Sequence, residues 1–574
     1  MSLITHLSAV VGEAFTGLGL PADLGEVVPS QRPELAQFQC NGAMAAGKLA
    51  GRPPRDIAEG VASRLTGHRD LSKVEVAGPG FVNLTLTDTA LATWAATTSS
   101  DEHLGFPVAA DPMTVVVDYA GPNVAKAMHV GHLRATIIGD SLARLFDFAG
   151  HRVVRDPHFG DWGFQMGLLI AAIEDEGIPP ESISLDDLQR IYPDASDRAR
   201  NDPGFANRAR AATVSLQQGD EHHRAIWKQM KSVSEASQRA NFSALGVEFD
   251  LWYGESDVHD RIAPMVDAME ESGIAEISDG ALVVFVGDDD DNRDIPPLIL
   301  RTSAGGFLYS TTDLATIDFR HQELGADLCL YVVDRRQADH FLQVFRAAHR
   351  AGIAPPEMSL EHIGFGTMNG PDGKPFKTRE GGIVRLADVI QMVTTTARKR
   401  LDEAHLAEEY PEDERDRIAA QVGVAALKFG DLINNRVSDY TFDLDRFSSF
   451  EGKTGPYLQY AAVRVKSILR KTAEQGLEPG EIVAPRVASE LALVLKLLEL
   501  PEVVERAIEL RAPNHVAEYA HLLAGEFNRF YDDCHILSEE DPARQASWLA
   551  VSSWTLAALE SLLGLLGIEI PDRM

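Results

Sequence analysis

The sequence predicts a multidomain protein in which an α/β domain built on a parallel sheet is followed by an all-α bundle. Three observations favour this class. The chain has 574 residues, enough for roughly three to five domains of the usual size. Strand and helix patterns alternate between residues 115 and 363, as in parallel α/β units. Beyond residue 386 nearly every pattern is helical, as in a bundle.

The first 110 residues form an α+β block of their own. They open on a helical pattern and end on the alternating run Phe81–Leu86, which is typical of a half-buried strand. The dipeptide Asp111-Pro112 then indicates a domain boundary. We therefore expect an N-terminal domain over residues 1–110.

The α/β alternation is expected over residues 111–390. A buried strand at 115–119 leads through a Gly-Pro turn into a long amphipathic helix, and a second strand begins at Val153. Residues from about 165 to 290 are polar and helical, and we expect an insertion there. The alternation then resumes with a strand at 298–300, a helix at 311–324, a strand at 329–333, a helix at 336–350 and a strand near Ile363. We expect a helical connector over residues 391–445 and a helical bundle over residues 446–574.

The net charge is strongly acidic. The chain carries 53 Lys and Arg and 86 Asp and Glu, a formal net charge of −33. Such a polyanion repels DNA, RNA and anionic membranes at long range. No stretch approaches about 18 uninterrupted apolar residues and no basic segment precedes the first apolar ones, so we expect neither a membrane span nor a signal peptide. The three Cys lie far apart in sequence, which is typical of a reducing, cytoplasmic protein.

The sharpest motif, His129-Val-Gly-His132, lies where a strand ends and a helix begins. That junction offers free backbone N–H groups and the positive end of a helix dipole, which suit a phosphate. Two imidazoles three residues apart can both face this site and donate hydrogen bonds to phosphoryl oxygens as negative charge builds up. Gly131 has no Cβ, so a flat base can pack against the backbone. Taken alone, the string fits two histidines on a helix surface at least as well.

A glycine-rich loop over residues 364–379 follows a predicted strand and carries Lys374 and Lys377. Mobile lysines can stabilise a triphosphate when charge passes to a departing pyrophosphate. A solvated basic turn is the simpler explanation of the loop on its own. Its combination with His129 and His132 makes it informative.

Together these motifs resemble the two signatures of the class I aminoacyl-tRNA synthetases, His-Ile-Gly-His and Lys-Met-Ser-Lys-Ser. The second signature is matched only loosely, by Lys374-Pro-Phe-Lys377-Thr378. Within that class the chain resembles the arginyl-tRNA synthetases through nearly its whole length and in the family's motif order. The resemblance rests on these strings: Pro122-Asn-Val-Ala-Lys126, His129-Val-Gly-His-Leu-Arg134, Gly160-Asp-Trp-Gly163, Tyr309-Ser-Thr-Thr-Asp-Leu314, Tyr331-Val-Val-Asp334 with Arg336-Gln337, Phe376-Lys-Thr-Arg379 and Gly455-Pro-Tyr-Leu-Gln-Tyr460.

The resemblance implies a Rossmann-like catalytic domain, an N-terminal appended domain that reaches the tRNA elbow, and a C-terminal helical-bundle anticodon-binding domain. It implies catalytic roles for His129, His132 and Lys377. How Lys374 and Lys377 divide the work is open. The residues implied to bind ATP are Pro122, Asn123, His129, Gly131, His132, Lys374 and Lys377.

The same resemblance implies a site for L-arginine formed by Asp118, Asn123, Tyr309, Asp313 and Gln337. The chemistry fits, because a carboxylate can meet a planar guanidinium bidentately and an acidic pocket rejects neutral amino acids. Without the family context, Asp313 also fits a helix cap and Tyr309 also fits core packing.

The implied reaction has two steps. The carboxylate of L-arginine attacks the α-phosphorus of ATP in line and expels pyrophosphate, and the adenylate then passes to the terminal adenosine of tRNA(Arg). We expect Mg²⁺ to accompany ATP and no zinc or other metal held by the protein. The family also implies that adenylation awaits tRNA binding. A monomer with no DNA or membrane partner is expected.

Two locally basic zones reconcile an acidic chain with a tRNA partner. Residues 446–475 hold six Lys or Arg and two Glu, and residues 370–400 hold seven Lys or Arg and three Asp or Glu. The first zone also carries Tyr457, Tyr460 and Arg464, and aromatics beside cations suit unstacked bases. We expect these three residues to contact tRNA, although a charge run is more often a solvated helix face.

Three other interpretations stay open at the level of the sequence. A small-molecule nucleotidylyltransferase or an ATP-dependent ligase without tRNA uses the same His-x-Gly-His arrangement but lacks a large basic and aromatic helical C-terminal domain. A catalytically silent RNA-binding paralogue has no need of intact His129, His132 and Lys377. A synthetase for another amino acid is the nearest alternative.

Overall fold

The computed structural model describes residues 1–30, 32, 35–303, 305–370, 373 and 384–574. They form two compact units. The terminal unit comprises Met1–Ala109, Phe450–Leu565 and Glu569–Met574, and the central unit comprises Ala110–Ser449 and Leu566–Ile568. The chain therefore leaves the terminal unit once in its middle and again for three residues near its end.

The N-terminal part of the terminal unit is α+β, as the sequence predicts. Its four strands form an antiparallel sheet in the order β1-β2-β4-β3, and the run predicted as a strand is β4. The elements are α1 (Leu3–Thr16), β1 (Val27–Pro29), β2 (Phe38–Cys40), α2 (Ala43–Ala50), α3 (Pro54–Leu65), β3 (Leu71–Ala77), β4 (Phe81–Leu86) and α4 (Asp88–Ser99).

The central unit contains the predicted parallel sheet, in the order β11-β10-β5-β6. Three consecutive valines, Val115–Val117, are fully buried in β5, as expected for a strand covered on both faces. The elements up to the end of this sheet are β5 (Thr114–Tyr119), α5 (Val130–Phe148), β6 (Arg152–Asp156), α6 (Phe164–Glu176), α7 (Leu185–Asn201), α8 (Pro203–Gln217), α9 (Glu221–Ala244), α10 (His259–Glu271), β7 (Glu276–Ser278), β8 (Ala281–Val284), β9 (Leu298–Arg301), α11 (Tyr309–Gln322), β10 (Leu328–Val332), α12 (Ala338–Arg350) and β11 (Ser359–His362).

Two sequence predictions within this unit are wrong. The segment of about 165–290, predicted as a helical insertion, also contains the strands β7 and β8. The strand β9, predicted to resume the α/β alternation, pairs antiparallel with β8 instead. The physical reason lies in the side chains of β9. Leu298 and Leu300 are buried, whereas Ile299 between them is 39% exposed, so the apolar run is an alternating strand of a separate three-stranded sheet.

The remaining elements of the central unit are mostly helical. They are β12 (Met368–Asn369), α13 (Leu386–Glu403), α14 (Glu412–Leu432), β13 (Tyr440–Thr441) and α15 (Leu444–Phe447). The two short strands pair in parallel. Helices α13 and α14 pack closely, because a Cβ on Gly423 of α14 would lie 2.8 Å from the backbone nitrogen of Thr394 on α13.

The C-terminal part of the terminal unit is the predicted helical bundle. It consists of α16 (Gly455–Glu474), α17 (Ala488–Leu497), α18 (Leu500–Glu509), α19 (Asn514–Asp533) and α20 (Pro542–Leu565). By length and composition α20 could cross a membrane, but 61% of its most apolar window is buried within the fold. Its apolar side chains are used in packing against α16 and α19.

A buried ion cluster joins α11 to the parallel sheet. Asp118 and Asp156 are register partners at the carboxyl ends of β5 and β6. The side chain of Arg320 on α11 is fully buried, and its Nη2 donates to both carboxylates at 2.7 Å. Its guanidinium also lies over the ring of Tyr331 on β10, 5.1 Å from the centroid. One cation therefore fixes the position of α11 against three strands.

We expect Arg320→Ala to destabilise the central unit by about 3–5 kcal/mol, because it leaves buried carboxylates without their cation. Chemical denaturation measures the effect. The control is Arg190→Ala, since Arg190 on α7 is 52% exposed and its ion pair with Glu176 is superficial. That variant should change the free energy of unfolding by less than about 1 kcal/mol. Equal effects of the two substitutions would show that the buried cluster is not a principal support of the fold.

Candidate active site

The candidate active site begins at the first turn of α5, where His129 and His132 cap the helix. The Nδ1 atom of His129 accepts a hydrogen bond from the Gly131 N–H at 3.0 Å, and Nδ1 of His132 accepts from the His129 N–H at 3.1 Å. Their ring centroids lie 4.1 Å apart. Since both Nδ1 atoms are acceptors, the proton of each neutral ring is on Nε2. Each imidazole therefore has an Nε2–H donor left for a ligand.

Both imidazoles are held in the neutral form. Burial lowers the pKa of His129, and the positive charge of Lys126 lowers it further. The pKa of His132 falls to about 3, first through burial and then through the neighbouring His129 and Lys126. Neutral imidazoles in this tautomer can donate hydrogen bonds to an anion at neutral pH. The positive charge of Lys126 thus acts on both rings, a role that the motif containing Lys126 does not predict.

The structure gives Gly131 a different local role from the one expected. A Cβ on this residue would lie 2.7 Å from Cε1 and 2.8 Å from Nδ1 of His129. The space left by the missing side chain is therefore filled by the His129 ring, and it is glycine that lets this ring fold back over the helix start. Contact of Gly131 with a nucleotide base stays a prediction.

The loop from Pro122 to Ala125, ahead of α5, is held in place by two segments distant in sequence. Backbone hydrogen bonds join it to Gly160 on both sides, from Val124 N to Gly160 O at 3.0 Å and from Gly160 N to Pro122 O at 3.3 Å. A Cβ on Gly160 would lie 2.2 Å from Oδ1 of Asn123, so glycine is required there. Ser234 on α9 accepts from the Ala125 N–H at 2.9 Å. Asn123 is thereby placed by the backbone of the Gly160-Asp-Trp-Gly163 motif.

Two of the residues predicted for arginine come together at the start of α11, and a third directly precedes the neighbouring helix α12. Tyr309 and Asp313 lie one turn apart at the start of α11, and Gln337 ends the 3-10 turn Arg335–Gln337 that leads into α12. His340 on α12 joins the two helices, because its Nε2 lies 2.6 Å from Oδ2 of Asp313 and its ring centroid 4.7 Å from that of Tyr309. Tyr309 is 63% exposed, so it is not a core residue.

The prediction that Asp118 adds a free carboxylate to the arginine site is not supported by its surroundings. Its Oδ2 accepts from the buried guanidinium of Arg320 at 2.7 Å, and only 14% of its side chain is exposed. Burial raises the pKa of this carboxyl, while Arg320 opposes that shift. Asp118 is therefore already committed to the ion cluster that supports α11.

Glu255 is a carboxyl group of the site that sequence reasoning missed. It begins a 3-10 turn, and its N–H donates to Phe159 O at 3.0 Å. Its pKa is raised to about 8, chiefly by burial and then by the negative charges of Asp161 and Asp313. No motif surrounds Glu255 in the sequence, because it reaches the site only through the pairing of Phe159 with Gly254. Glu255 therefore belongs to an acidic cluster with Asp161 and Asp313, in which Asp161 is paired with Lys231 at 2.6 Å.

The second signature, with Lys374 and Lys377, lies outside the described residues. The described segment that follows it pairs with the entry to α5. The Val130 N–H donates to Val384 O at 3.1 Å, and the Leu386 N–H donates to Met128 O at 2.9 Å. The chain just beyond the signature is thus adjacent to His129.

The residues predicted to contact tRNA lie on α16 and differ in their surroundings. The hydroxyl of Tyr457 accepts from Asn528 at 2.9 Å, and the guanidinium of Arg464 lies 4.6 Å from the ring centroid of Tyr531. Tyr460 is 40% exposed. Of the two tyrosines, Tyr460 is the more exposed to solvent.

The local charge sums of the two basic zones are corrected by the fold. Lys453 and Lys466 pair with Glu518 and Glu560 of neighbouring helices, at 2.6 Å and 3.1 Å. In the other zone, Arg398 pairs with carboxylates of α14. A sum over consecutive residues misses these partners because they come from other helices. The effective positive charge of both zones is smaller than the sequence indicates.

Among the residues that the structure describes, no group of three or more His, Cys, Asp or Glu could hold a metal ion. What the described site offers is hydrogen-bond donors at a helix start and, on neighbouring elements, a group of carboxylates. A parallel α/β domain with two neutral imidazoles where its first strand leads into a helix is the arrangement of the class I aminoacyl-tRNA synthetases, and the nucleotidylyltransferases share it.

Comparisons with known proteins identify the family. The family described as "tRNA synthetases class I (R), catalytic domain" matches residues 98–444, the "DALR anticodon binding domain" matches residues 458–574, and the "Arginyl tRNA synthetase N terminal domain" matches residues 1–86. Arginine–tRNA ligases of Maricaulis maris and Hyphomonas neptunium are 49% and 47% identical to this chain, with full coverage of both chains. The chain belongs to the arginyl-tRNA synthetase family.

Solved structures agree on the fold. The arginyl-tRNA synthetase of Thermus thermophilus matches with a TM-score of 0.82 at 25% identity and covers all of both chains. That of Plasmodium falciparum matches with a TM-score of 0.85 at 24% identity, over 100% of this chain and 99% of its own. The predicted three-part fold class is confirmed.

We expect His132 to remain a neutral, Nε2-protonated imidazole from pH 8 down to pH 5, because its pKa is lowered to about 3. Long-range ¹H–¹⁵N spectra of the ¹⁵N-histidine-labelled protein report both the tautomer and the titration. The spectrum of His132→Asn assigns the resonance. A midpoint near the value of free histidine, about 6.5, would contradict the acceptor role of Nδ1.

Proposed function

We propose that this protein is an arginine–tRNA ligase that activates L-arginine with ATP and transfers it to the 3′-terminal adenosine of tRNA(Arg). The observation that carries the proposal is the occurrence within one domain of two neutral Nε2–H donors at a helix start and a cluster of three carboxyl groups, those of Glu255, Asp161 and Asp313. An anionic triphosphate suits the first, and a guanidinium suits the second. Full-length similarity to arginine–tRNA ligases supports this substrate pair.

His129 and His132 donate to the phosphate oxygens of ATP and stabilise the charge that develops as pyrophosphate leaves. Because their orientation is already fixed by backbone hydrogen bonds, no reorganisation is needed in the transition state. Lys126 supplies a nearby cation, and Lys377 is proposed as the catalytic lysine of the second signature. Mg²⁺ accompanies the nucleotide. Pro122, Asn123, Gly131 and Lys374 complete the proposed ATP site.

The arginine side chain is proposed to bind against the carboxyl groups of Glu255 and Asp313. Tyr309, one turn from Asp313 on α11, is proposed to complete this site with Gln337 and Asn123. Asp161 adds negative charge but is itself paired with Lys231 at 2.6 Å. A neutral amino acid would gain no charge-assisted hydrogen bond from these carboxyl groups. The pocket therefore selects for a guanidinium.

The remaining assignments follow from family membership and composition. We propose a tRNA-binding domain over residues 1–110, a catalytic domain over 111–390, a connector over 391–445 and an anticodon-binding domain over 446–574. Tyr457, Tyr460 and Arg464 are proposed tRNA contacts. We further propose a cytoplasmic monomer that has no DNA or membrane partner, no protein-bound zinc, and an adenylation step that awaits tRNA.

The proposal is tested by ATP–pyrophosphate exchange with each amino acid, with and without total tRNA. We expect exchange with arginine only, and only when tRNA is present. Exchange with another amino acid would overturn the specificity, and exchange without tRNA would overturn the coupling. In the same assay, His132→Asn should lower turnover by a factor on the order of a hundred, since it removes the Nε2–H donor.

The asparagine variant separates catalysis from folding. The Asn Oδ1 can replace Nδ1 as the acceptor of the His129 N–H, so the start of α5 stays capped. His132→Ala removes both the donor and the cap and should also lower stability by about 1 kcal/mol. Unchanged turnover in His132→Asn would contradict the proposed catalytic role.

Glu255 gives arginine binding a specific pH dependence. The pKa of its free carboxyl is raised to about 8, and a bound guanidinium favours the ionised form, so binding releases a proton. The affinity for arginine should therefore rise about tenfold per pH unit below pH 7 and level off above pH 8. Calorimetric titration in buffers of different ionisation enthalpy measures both the affinity and the proton release.

The matched control is Glu255→Gln, which keeps the shape of the side chain but cannot ionise. It should bind arginine more weakly and abolish the proton release. If wild-type affinity is independent of pH between 6 and 8, Glu255 does not face the guanidinium.

A further inference from the structure

Helix α5, which begins at His129, is held along its length by two buried ion pairs with α14. Arg134 donates to Asp431 at 2.9 Å, with side chains 2% and 1% exposed. Asp140 lies 3.4 Å from Lys428, with side chains 2% and 0% exposed. The two α14 partners are three residues apart and so share one face of that helix. The position of the two imidazoles therefore depends on how α14 contacts α5.

The second ion pair is completed by the end of the chain. The ammonium of Lys428 donates to the backbone carbonyl of Gly567 at 2.7 Å, a shorter contact than that with Asp140. Asp140 also accepts from Arg144 at 3.0 Å. Gly567 lies in Leu566–Ile568, the three residues that return to the central unit although the chain on either side of them belongs to the terminal unit.

The residues of this three-residue segment are buried and tightly packed. Leu566 and Ile568 are 1% and 3% exposed, so both are anchored in apolar surroundings. Gly567 between them has φ +64°, and a Cβ there would lie 2.5 Å from both Asp140 Oδ2 and Lys428 Nζ. Only glycine brings its carbonyl this close to the buried ammonium without displacing the charged groups.

We propose that Leu566–Ile568 is a positioning element for adenylation, acting through Lys428 and Asp140 on helix α5. The inference rests on the proposed function, because the imidazoles at the start of α5 are its point of action. Without the Gly567 carbonyl, a buried ammonium loses an acceptor and the charges around Asp140 must rearrange. Because α5 is a continuous helix, a shift at Asp140 moves His132 and His129, about 12 Å and about 16 Å away along the axis.

The location of the proposed arginine site distinguishes a positioning role of Leu566–Ile568 from a merely structural one. Tyr309, Asp313 and Gln337 lie on α11 and before α12, and Glu255 lies in the turn before α10. None of these residues is on α5 or α14, and Asn123, in the loop ahead of α5, is held by backbone hydrogen bonds of its neighbours to Gly160. Disturbing the segment should therefore slow adenylation while leaving the affinity for arginine unchanged. A merely structural role predicts that both fall together with the folded fraction.

The test compares Gly567→Ala with Gly564→Ala, in the full-length chain and at saturating tRNA. The control glycine lies three residues earlier, within α20, and an added Cβ there meets nothing within 4 Å. We expect arginine-dependent exchange turnover to fall at least about tenfold in Gly567→Ala, since small displacements of catalytic groups cost this much or more. Gly564→Ala should stay within about twofold of wild type. The dissociation constant for arginine should be unchanged in both.

Wild-type turnover in Gly567→Ala overturns the inference, and so does a parallel loss of turnover and arginine affinity. If Gly567→Ala does not fold, Lys428→Met decides, since it removes the donor to Gly567 O from the other side and should give the same split. Absence of arginine-dependent exchange in the wild-type protein would overturn the proposed function instead. The two failures are thus distinguishable.

Discussion

The buried guanidinium of Arg320 is the interaction on which the geometry of the candidate site depends. It binds the carboxylates at the carboxyl ends of β5 and β6 and so fixes α11 against these strand ends. The loop that leads into α5 begins at the same end of β5. α5 carries the imidazoles proposed for ATP, and α11 carries Tyr309 and Asp313, proposed for arginine. The same ion cluster therefore positions α11 against β5, the strand that leads towards α5. The cluster also engages Oδ2 of Asp118, whose place in the arginine site stays a prediction.

Burial favours the neutral form of three groups of the candidate site, the imidazoles of His129 and His132 and the carboxyl group of Glu255. Burial lowers the pKa of both imidazoles and raises that of Glu255, so several of its ionisable groups favour the neutral form. Charged groups are costly to bury without partners. In the proposed complex the triphosphate accepts hydrogen bonds from the neutral imidazoles. The guanidinium favours ionisation of the Glu255 carboxyl group. The electrostatic cost of the site is thus offset by the substrates that fit it.

The sequence predicts the parts of this site that depend on local pattern. His129 and His132 stand at a strand-to-helix junction, and Tyr309 and Asp313 stand one helical turn apart, so neighbouring residues suffice to place them. Glu255 and the partner of Asp118 depend on pairings between segments far apart in sequence, and no local pattern reports these. The same limit explains the errors in β9 and in the basic zones, where the deciding neighbours come from other strands and helices.

Three glycines show how the site is organised before any substrate binds. An added Cβ would collide with His129 if placed on Gly131, with Asn123 if placed on Gly160, and with Asp161 if placed on Gly254. Each glycine thus makes room for a polar side chain of the site itself to fold against the backbone. Polar groups fixed in this way need no rearrangement when charge develops in the transition state, and that is the main source of electrostatic catalysis. The three glycines therefore fix polar groups of the candidate site in position.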